Sequence, residues 1–512
     1  MSDAGRSHTV RTIIVMLGAA WIVLFSSSLR AVQWATYDDS YYYFGIARNL
    51  AHGWGSTFDR LHATNGYHPL WLGLCTLAFW LKLDDDTAVR ALLSVQIIGL
   101  GVALALGVRV IERAAERRTD NPRRRTAAVL LASALLVLFA FSPFGISLYA
   151  NGLESTCSLL VFAALVERLD ACREGNLDGH RIFLSVLAAI AFLARTDAIV
   201  LVPWLAVFAV LRGGRARAVL EIALVPCLVI AGYLVFNRME FGSATQVSGD
   251  LKRIKPTALR LAQGIAIALA PALGIAILRK VRLVMVPRTA AFVLDTAPLF
   301  GFACAIVAYY ETLQPWQQVW YFVTPTFYLA LVLAIMVVDL VAAPRWIPRI
   351  AGVGVVLGAA VFFAGSVRDA LEPGATAMLV ADREAGIWIR NNLEGSAVLG
   401  SWDAGALGYY SHRRVVSLDG EVGSVAFMRA LRAGKTSEWD KSERVHVEYI
   451  VNHTFDEDGG SEKLRTLARD CFGEERTKRW TILWTWDFIY RGGANGKAPR
   501  TYGMAVWLAR LD

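Results

Sequence analysis

Apolar residues along the chain gather into long runs rather than at the spacing of a half-buried helix or strand. Eleven such runs stand out, at residues 11–32, 87–111, 127–144, 154–172, 181–194, 197–212, 218–236, 258–279, 289–309, 318–341 and 348–366. Crossing a bilayer takes roughly 20 apolar residues in a helix. The pattern therefore predicts a polytopic α-helical membrane protein with about eleven transmembrane helices and further interfacial or re-entrant helices.

Residues 69–81 form a twelfth, shorter apolar stretch flanked by Trp71 and Trp80. If it crossed the membrane, the Arg113–Arg125 cluster would lie outside, together with Arg212, Arg215 and Arg217, Lys280 and Arg282, and Arg345 and Arg349. If it does not cross, all of them lie inside, as the positive-inside rule requires. The stretch is thus expected to be interfacial or re-entrant, with the N-terminus in the cytoplasm and the C-terminus outside. The same parity makes 181–194 and 197–212 two spans that turn at Arg195-Thr196-Asp197. No small-residue cleavage site follows the first run, so it is expected to be retained as a span.

After residue 366 the pattern changes. Charges and turn residues return, and short apolar runs at 396–401, 414–418 and 447–452 predict strands between helices at 381–391 and 425–432. Two domains follow: a transmembrane domain over 1–366 and a small α/β domain, outside the cytoplasm, over 367–512.

Composition agrees. Of 512 residues, 55% are hydrophobic and 19% charged, against about 25% charged in an ordinary soluble chain. The net charge of +9 does not point to nucleic acid, because the arginines sit in short clusters between apolar runs. The six cysteines, four of them inside apolar runs, offer neither a disulfide framework nor a zinc pattern.

The loop after the first run carries the most chemistry. It holds Trp34, the tandem acids Asp38 and Asp39, Tyr41, Tyr42 and Tyr43, then Asn65, His68, Pro69 and Trp71. Adjacent carboxylates beside a bilayer are costly to desolvate unless they serve a proton, a cation or a polar ligand. Such a pair can act as a general base or hold a divalent metal. The plainer alternative is a cap at the N-terminus of the helix that starts there.

The Asp38-Asp39-Ser40-Tyr41 element, followed by an amphipathic helix and the Asn65-Gly66-Tyr67-His68-Pro69-Leu70-Trp71 entry, resembles the GT-C superfamily of integral membrane glycosyltransferases, in its arabinofuranosyl- and mannosyltransferase-like branch. The resemblance is specific over residues 34–72 and weaker elsewhere. It implies an inverting transferase that takes a sugar from a polyprenyl-phosphate donor to a glycan, lipid or protein acceptor at the outer face of the cytoplasmic membrane, in cell-envelope or cell-wall biosynthesis. Asp38 would be the base, with Asp39 and His68 orienting substrate or a metal. No cofactor beyond a divalent ion, and no nucleic acid, is implied.

Further positions fit the same resemblance. Glu154 follows Asn151-Gly152-Leu153 at one predicted outer turn, and Arg195 and Asp197 lie at another, with Thr196 where relatives carry Pro. Their plain alternatives are a helix cap and a local ion pair. Lys252, in a basic loop on the outer side, is the preferred phosphate ligand, with Arg195 beside the same phosphate and headgroup contact as its alternative. Pro315, Trp316, Trp320 and Tyr321 can wall a sugar or lipid chain or form an aromatic belt. Trp402 and Asp403, with Asp419, can reach over a cavity from the outer domain. Tyr42, Asn65 and His68 complete the substrate-binding set.

Two rivals stand beside this reading. A transporter or flippase would use the same acids for protons or anionic cargo, although the sequence shows no internal two-fold similarity. A non-catalytic envelope-assembly subunit would need neither acid.

Overall fold

The computed structural model describes residues 3–172, 177–211, 216–280, 287–314, 317–372, 374–442, 446–455, 460–478, 480–492 and 500–511. Arg212, Arg215, Arg282, Pro315 and Trp316 lie outside the described residues. The apolar runs are helical, and the chain is a multi-pass helical membrane protein with a C-terminal α/β domain. Five helices among the described residues are long and apolar enough to cross a bilayer: Thr9–Ser27, Asp85–Arg118, Ala216–Phe241, Val319–Ala342 and Trp346–Leu371.

Two more spans form if bent helix pairs are counted. Pro122–Ala140 and Pro143–Tyr149 meet at 71°, and Pro287–Asp295 and Ala297–Leu313 at 78°. At the first bend the Ser142 hydroxyl accepts the Gly145 N–H, and Pro143 opens the next helix, a position that needs no N–H donor. Four shorter apolar helices remain: Pro69–Trp80, Arg181–Ala194, Thr196–Val210 and Ala258–Ala270. The 12-residue helix Pro69–Trp80 rises only about 18 Å. It is too short to cross alone.

The chain divides into two compact units. The first comprises Met1–Ser27, Leu93–Gly232 and Arg253–Arg368. In it, helix Val323–Ala342 packs against Pro122–Ala140 and Pro287–Asp295, and helix Ala258–Lys280 against Ala297–Leu313. Charged helix ends are tied by ion pairs: Arg113 and Arg117 to Asp170 at 2.7 and 2.9 Å, and Arg118 to the buried Asp339 at 3.1 Å. Asp339 also accepts the Arg288 and Thr289 N–H groups at 2.9 and 2.8 Å.

The second unit comprises Ser28–Leu92, Tyr233–Lys252 and Asp369–Asp512. Its five described strands are β1 (Val398–Ser401), β2 (Arg414–Ser417), β3 (Tyr449–Phe455), β4 (Trp480–Gly492) and β5 (Arg500–Leu511), in the order β2-β1-β3-β5-β4. β1 runs parallel to β2 and β3, while β5 is antiparallel to β3 and β4. Val416, Leu418, Phe427, Trp439, Ile450 and Leu464 fill its core. Helix Asp38–Ala51 packs against helices Pro69–Trp80 and Gly405–Ser411. The sheet domain and the first polar loop therefore fold as one body.

Candidate functional site

The tandem acids open helix Asp38–Ala51, but they do not cap it. Tyr37 is the N-cap, and its N–H donates to the Ser40 hydroxyl at 3.1 Å. The Asp38 carboxylate reaches another helix instead. Oδ2 accepts the Gly405 N–H at 2.9 Å and Oδ1 the Ala406 N–H at 2.7 Å, the first donors of helix Gly405–Ser411. Capping is thus real for Asp38, across the unit rather than within its own helix. Those groups would be orphaned otherwise.

Burial holds the Asp38 carboxyl well above its ordinary value of 3.8. The negative charges of Asp382 and Asp403, and more weakly Asp39, act in the same direction, while the Ala406 N–H pulls against them. Desolvation and like charge both penalise the ionised form. The result is a carboxylate with a strong appetite for a proton.

Beside it, Asp39 is 31% exposed and lies 4.0 Å from the Lys252 ammonium, which pairs with Glu421 at 2.8 Å. Lys252 ends the short helix Val247–Lys252, and the approach to that helix is fixed by the Asn65-Gly66-Tyr67-His68 segment. The buried Asn65 amide donates to Asn237 Oδ1 at 2.8 Å and to the Thr245 carbonyl at 3.1 Å, while its Oδ1 accepts the Val247 N–H at 3.0 Å. Gln246 donates to the Tyr67 carbonyl and lies 3.1 Å from His68 Nδ1. A side chain at Gly66 would place its Cβ 2.3 Å from the Glu421 carbonyl oxygen. Only glycine admits that approach.

Tyr42 is buried. Its hydroxyl donates to Asp419 at 3.0 Å and accepts the Ala404 N–H at 3.1 Å. Asp419 also accepts from the Ser417 hydroxyl and, at 2.9 Å, from the Glu421 N–H. Burial, with the neighbouring charge of Glu421, holds its carboxyl well above the ordinary value. Asp403 is half exposed and lies 3.3 Å from His453 Nε2. Trp402 packs against the hydrophobic core of the sheet domain.

Among the described residues no group of three or more His, Cys, Asp or Glu side chains is arranged to hold a metal ion. His68 meets Gln246 through its ring, and its backbone N–H donates to the Tyr43 hydroxyl at 2.9 Å.

The first unit holds a second polar cluster. Arg195, 7% exposed, donates to Glu154, to Asp197 at 2.9 Å and to the Tyr310 hydroxyl at 2.7 Å. Tyr310 in turn donates to Asp197 at 2.5 Å and stacks on Tyr321, ring centroids 4.5 Å apart. Glu154 occupies an N-cap position, yet its side chain makes no cap hydrogen bond; the ion pair with Arg195 takes the carboxylate. Arg195, Asp197 and Tyr321 border a small cavity walled by Phe162, Leu165, Phe302 and Ile306.

The structure brings together Glu154, Arg195 and Asp197, all singled out in the sequence, whereas Tyr310, Asp382, Glu421, His453 and Asn237 were not singled out. None of these lies in a recognisable motif. Tyr310 looks like part of an aromatic belt, and His453 like the end of a strand. The turn residue Asp197 beside Arg195 was the visible signal; its partner Tyr310, 113 residues on, had none.

Residues 372–507 match a family described as "Domain of unknown function (DUF8728)". No curated protein matches the sequence. Among solved structures, the chain is similar to the crystal structure of ArnT from Cupriavidus metallidurans bound to undecaprenyl phosphate, with 12% identity and a TM-score of 0.47, over 95% of this chain and 98% of that one.

Proposed function

We propose that the protein is a glycosyltransferase of the GT-C type, which moves a sugar from a polyprenyl-phosphate donor to an acceptor hydroxyl at the outer face of a cytoplasmic membrane. The observation that carries this reading is Asp38: a carboxylate held by two backbone N–H groups, surrounded by further carboxylates, with its proton affinity raised. A general base works best when its pKa lies near the working pH. The resemblance of residues 34–72 to the superfamily supplies the chemistry for which such a base is suited.

In the proposed reaction the acceptor oxygen attacks the anomeric carbon with inversion, and its proton passes to Asp38. The bond from the anomeric carbon to the phosphate oxygen breaks, and the electron pair leaves with the polyprenyl phosphate. A sugar phosphate is already a fair leaving group, so the protein has to supply alignment and positive charge. Lys252, the cation beside Asp39, supplies that charge. Asp39, Tyr42, Asn65, His68, Trp402 and Asp403 stay proposals for the same unit, and Glu154, Arg195, Asp197 and Tyr321 for the cavity of the other. The C-terminal domain lies outside the cytoplasm in this proposal, with the N-terminus inside.

The test is to incubate purified protein in lipid with a panel of radiolabelled polyprenyl-phosphate sugars and candidate acceptors. Loss of label from one lipid, with its appearance in an acceptor, is expected. Proton-coupled uptake into vesicles with no transfer from any donor would replace this reading with a transporter.

A further inference from the structure

His453 lies in β3, outside every motif that the proposed transfer uses. Its side chain is 10% exposed, with Nδ1 3.7 Å from Asp382 and Nε2 3.3 Å from Asp403. Asp382, on helix Ala377–Asn392, has a side chain only 4% exposed, while that of Asp403, in the turn after β1, is 50% exposed. These two carboxylates are the ones whose charge bears most strongly on Asp38. A buried charge without a partner is very costly, so three carboxylates in one place need a cation.

From this geometry we infer that His453 is a positioning residue for the proposed transfer: an imidazolium clamped between Asp382 and Asp403 that cancels their charge, so that Asp38 can stand ionised as the base. The inference rests on the function proposed above. The groups facing His453 are Asp382 from the helix, Asp403 from the turn and Asp38 from the start of helix Asp38–Ala51. Around Asp38 itself stand Asp39, Asp382 and Asp403, with the Tyr41 and Tyr42 phenols. Burial alone would lower the imidazole, but the hydrogen bond and charge of Asp382, then the charges of Asp403 and Asp38, hold it up at about 9. The cation thus persists at neutral pH.

Without it, Asp382 and Asp403 would push the Asp38 proton affinity higher still, and a smaller fraction of the enzyme would carry the free base at pH 7. Each unit of such a shift costs about tenfold in ionised base once the pKa exceeds the pH.

The experiment uses the full chain in nanodiscs, with two readouts. In the first, histidine carrying ¹³C at Cε1 is titrated by NMR, and H453Q identifies the His453 signal. An imidazolium that survives well above the ordinary histidine value, and loses that persistence in D382N, is expected. A signal that titrates at or below the ordinary value overturns the clamp. In the second, the transfer kinetics of H453Q and H453K are compared with those of the unaltered protein. H453Q should lose at least about tenfold in kcat at pH 7 with donor KM little changed, recover part of the loss as the pH rises, and be rescued by H453K. An equal loss at every pH, or no rescue by lysine, overturns the positioning role and leaves a merely structural histidine. If the unaltered protein transfers no sugar at all, the function proposed above has failed and this role falls with it, while the NMR titration still decides whether the charge clamp exists.

Discussion

Gly405 sits so close to Asp38 that a Cβ on the glycine would lie 2.1 Å from the Asp38 carbonyl oxygen and 2.7 Å from its carboxylate Oδ2. That approach lets two consecutive N–H groups of one helix meet the first side chain of another. G405A should therefore force the helices apart, at a cost of roughly 1–3 kcal/mol for overpacking and with the loss of both hydrogen bonds. A lower melting temperature in thermal unfolding, together with reduced transfer, is expected. An unchanged melting temperature would show that the approach is not needed for the fold.

Asp38 itself separates scaffold from chemistry. In D38N one amide oxygen can still accept a backbone N–H, while the amide nitrogen faces the other as a second donor. The expected loss of stability is about 1–3 kcal/mol for one unsatisfied group, whereas loss of a general base lowers the rate by roughly 10²–10⁴. Single-turnover transfer from a labelled donor, measured on protein shown to be folded by gel filtration and thermal unfolding, checks both. Near-normal transfer by D38N would remove Asp38 as the base.

These consequences were only partly legible in the sequence. The apolar runs fixed where the helices lie, because hydrophobic length is a local property. The strands at 398–401, 414–417 and 449–455 and the helix Val425–Arg432 were visible for the same reason, as was the Arg195–Asp197 pair, two residues apart. The long hairpin of β4 and β5 was not anticipated, although Trp484, Trp486 and Phe488 alternate with Thr485 and Asp487 within it. What could not be read was contact across distance: Asp38 with Gly405, Asn65 with Asn237, Arg195 with Tyr310. Asp38 looked like a cap for its own helix because sequence shows the nearest helix start, not the one that packs against it.

The Asn65 contacts predict a positional effect on Lys252. N65A removes the acceptor for Val247 and the donor to Asn237 and Thr245. Three lost hydrogen bonds at about 1 kcal/mol each should lower stability by a few kcal/mol, and the freed segment should let Lys252 drift from Asp39 and Glu421. If Lys252 meets the donor phosphate, N65A and K252A should weaken donor binding to a similar degree and combine less than additively. Full additivity in a double-mutant cycle of donor KM would show that Asn65 does not act through Lys252.

Arg195 is expected to behave as a buried ion-pair hub. R195Q leaves the carboxylates of Glu154 and Asp197 without their cation, and breaking a buried pair in this way costs about 3–5 kcal/mol. R195K should recover only part of that, because one ammonium cannot reproduce the planar fork that reaches Glu154, Asp197 and Tyr310 together. E154Q in the R195Q background should regain stability, since it removes one stranded charge. Thermal unfolding of the four proteins in the same detergent is the measurement, and a double variant no more stable than R195Q would contradict the hub.

The carboxyls of Asp38 and Asp419 bring stability and activity into opposition as the pH falls. Both are held well above 3.8 in the folded chain by burial and neighbouring negative charge, so the folded state takes up their protons before the unfolded state does. Stability therefore rises as the pH drops from neutral through those raised values, and levels off near the unfolded value of about 3.9. The melting temperature should thus increase on acidification through the raised values and level off near the unfolded value of about 3.9. Transfer should fall in step with that rise, as Asp38 takes up its proton and ceases to be a base. Parallel melting and transfer profiles over pH 4–8 check the pair of trends, and a melting temperature that falls steadily on acidification from pH 8 would mean that these carboxylates stand ionised at ordinary values.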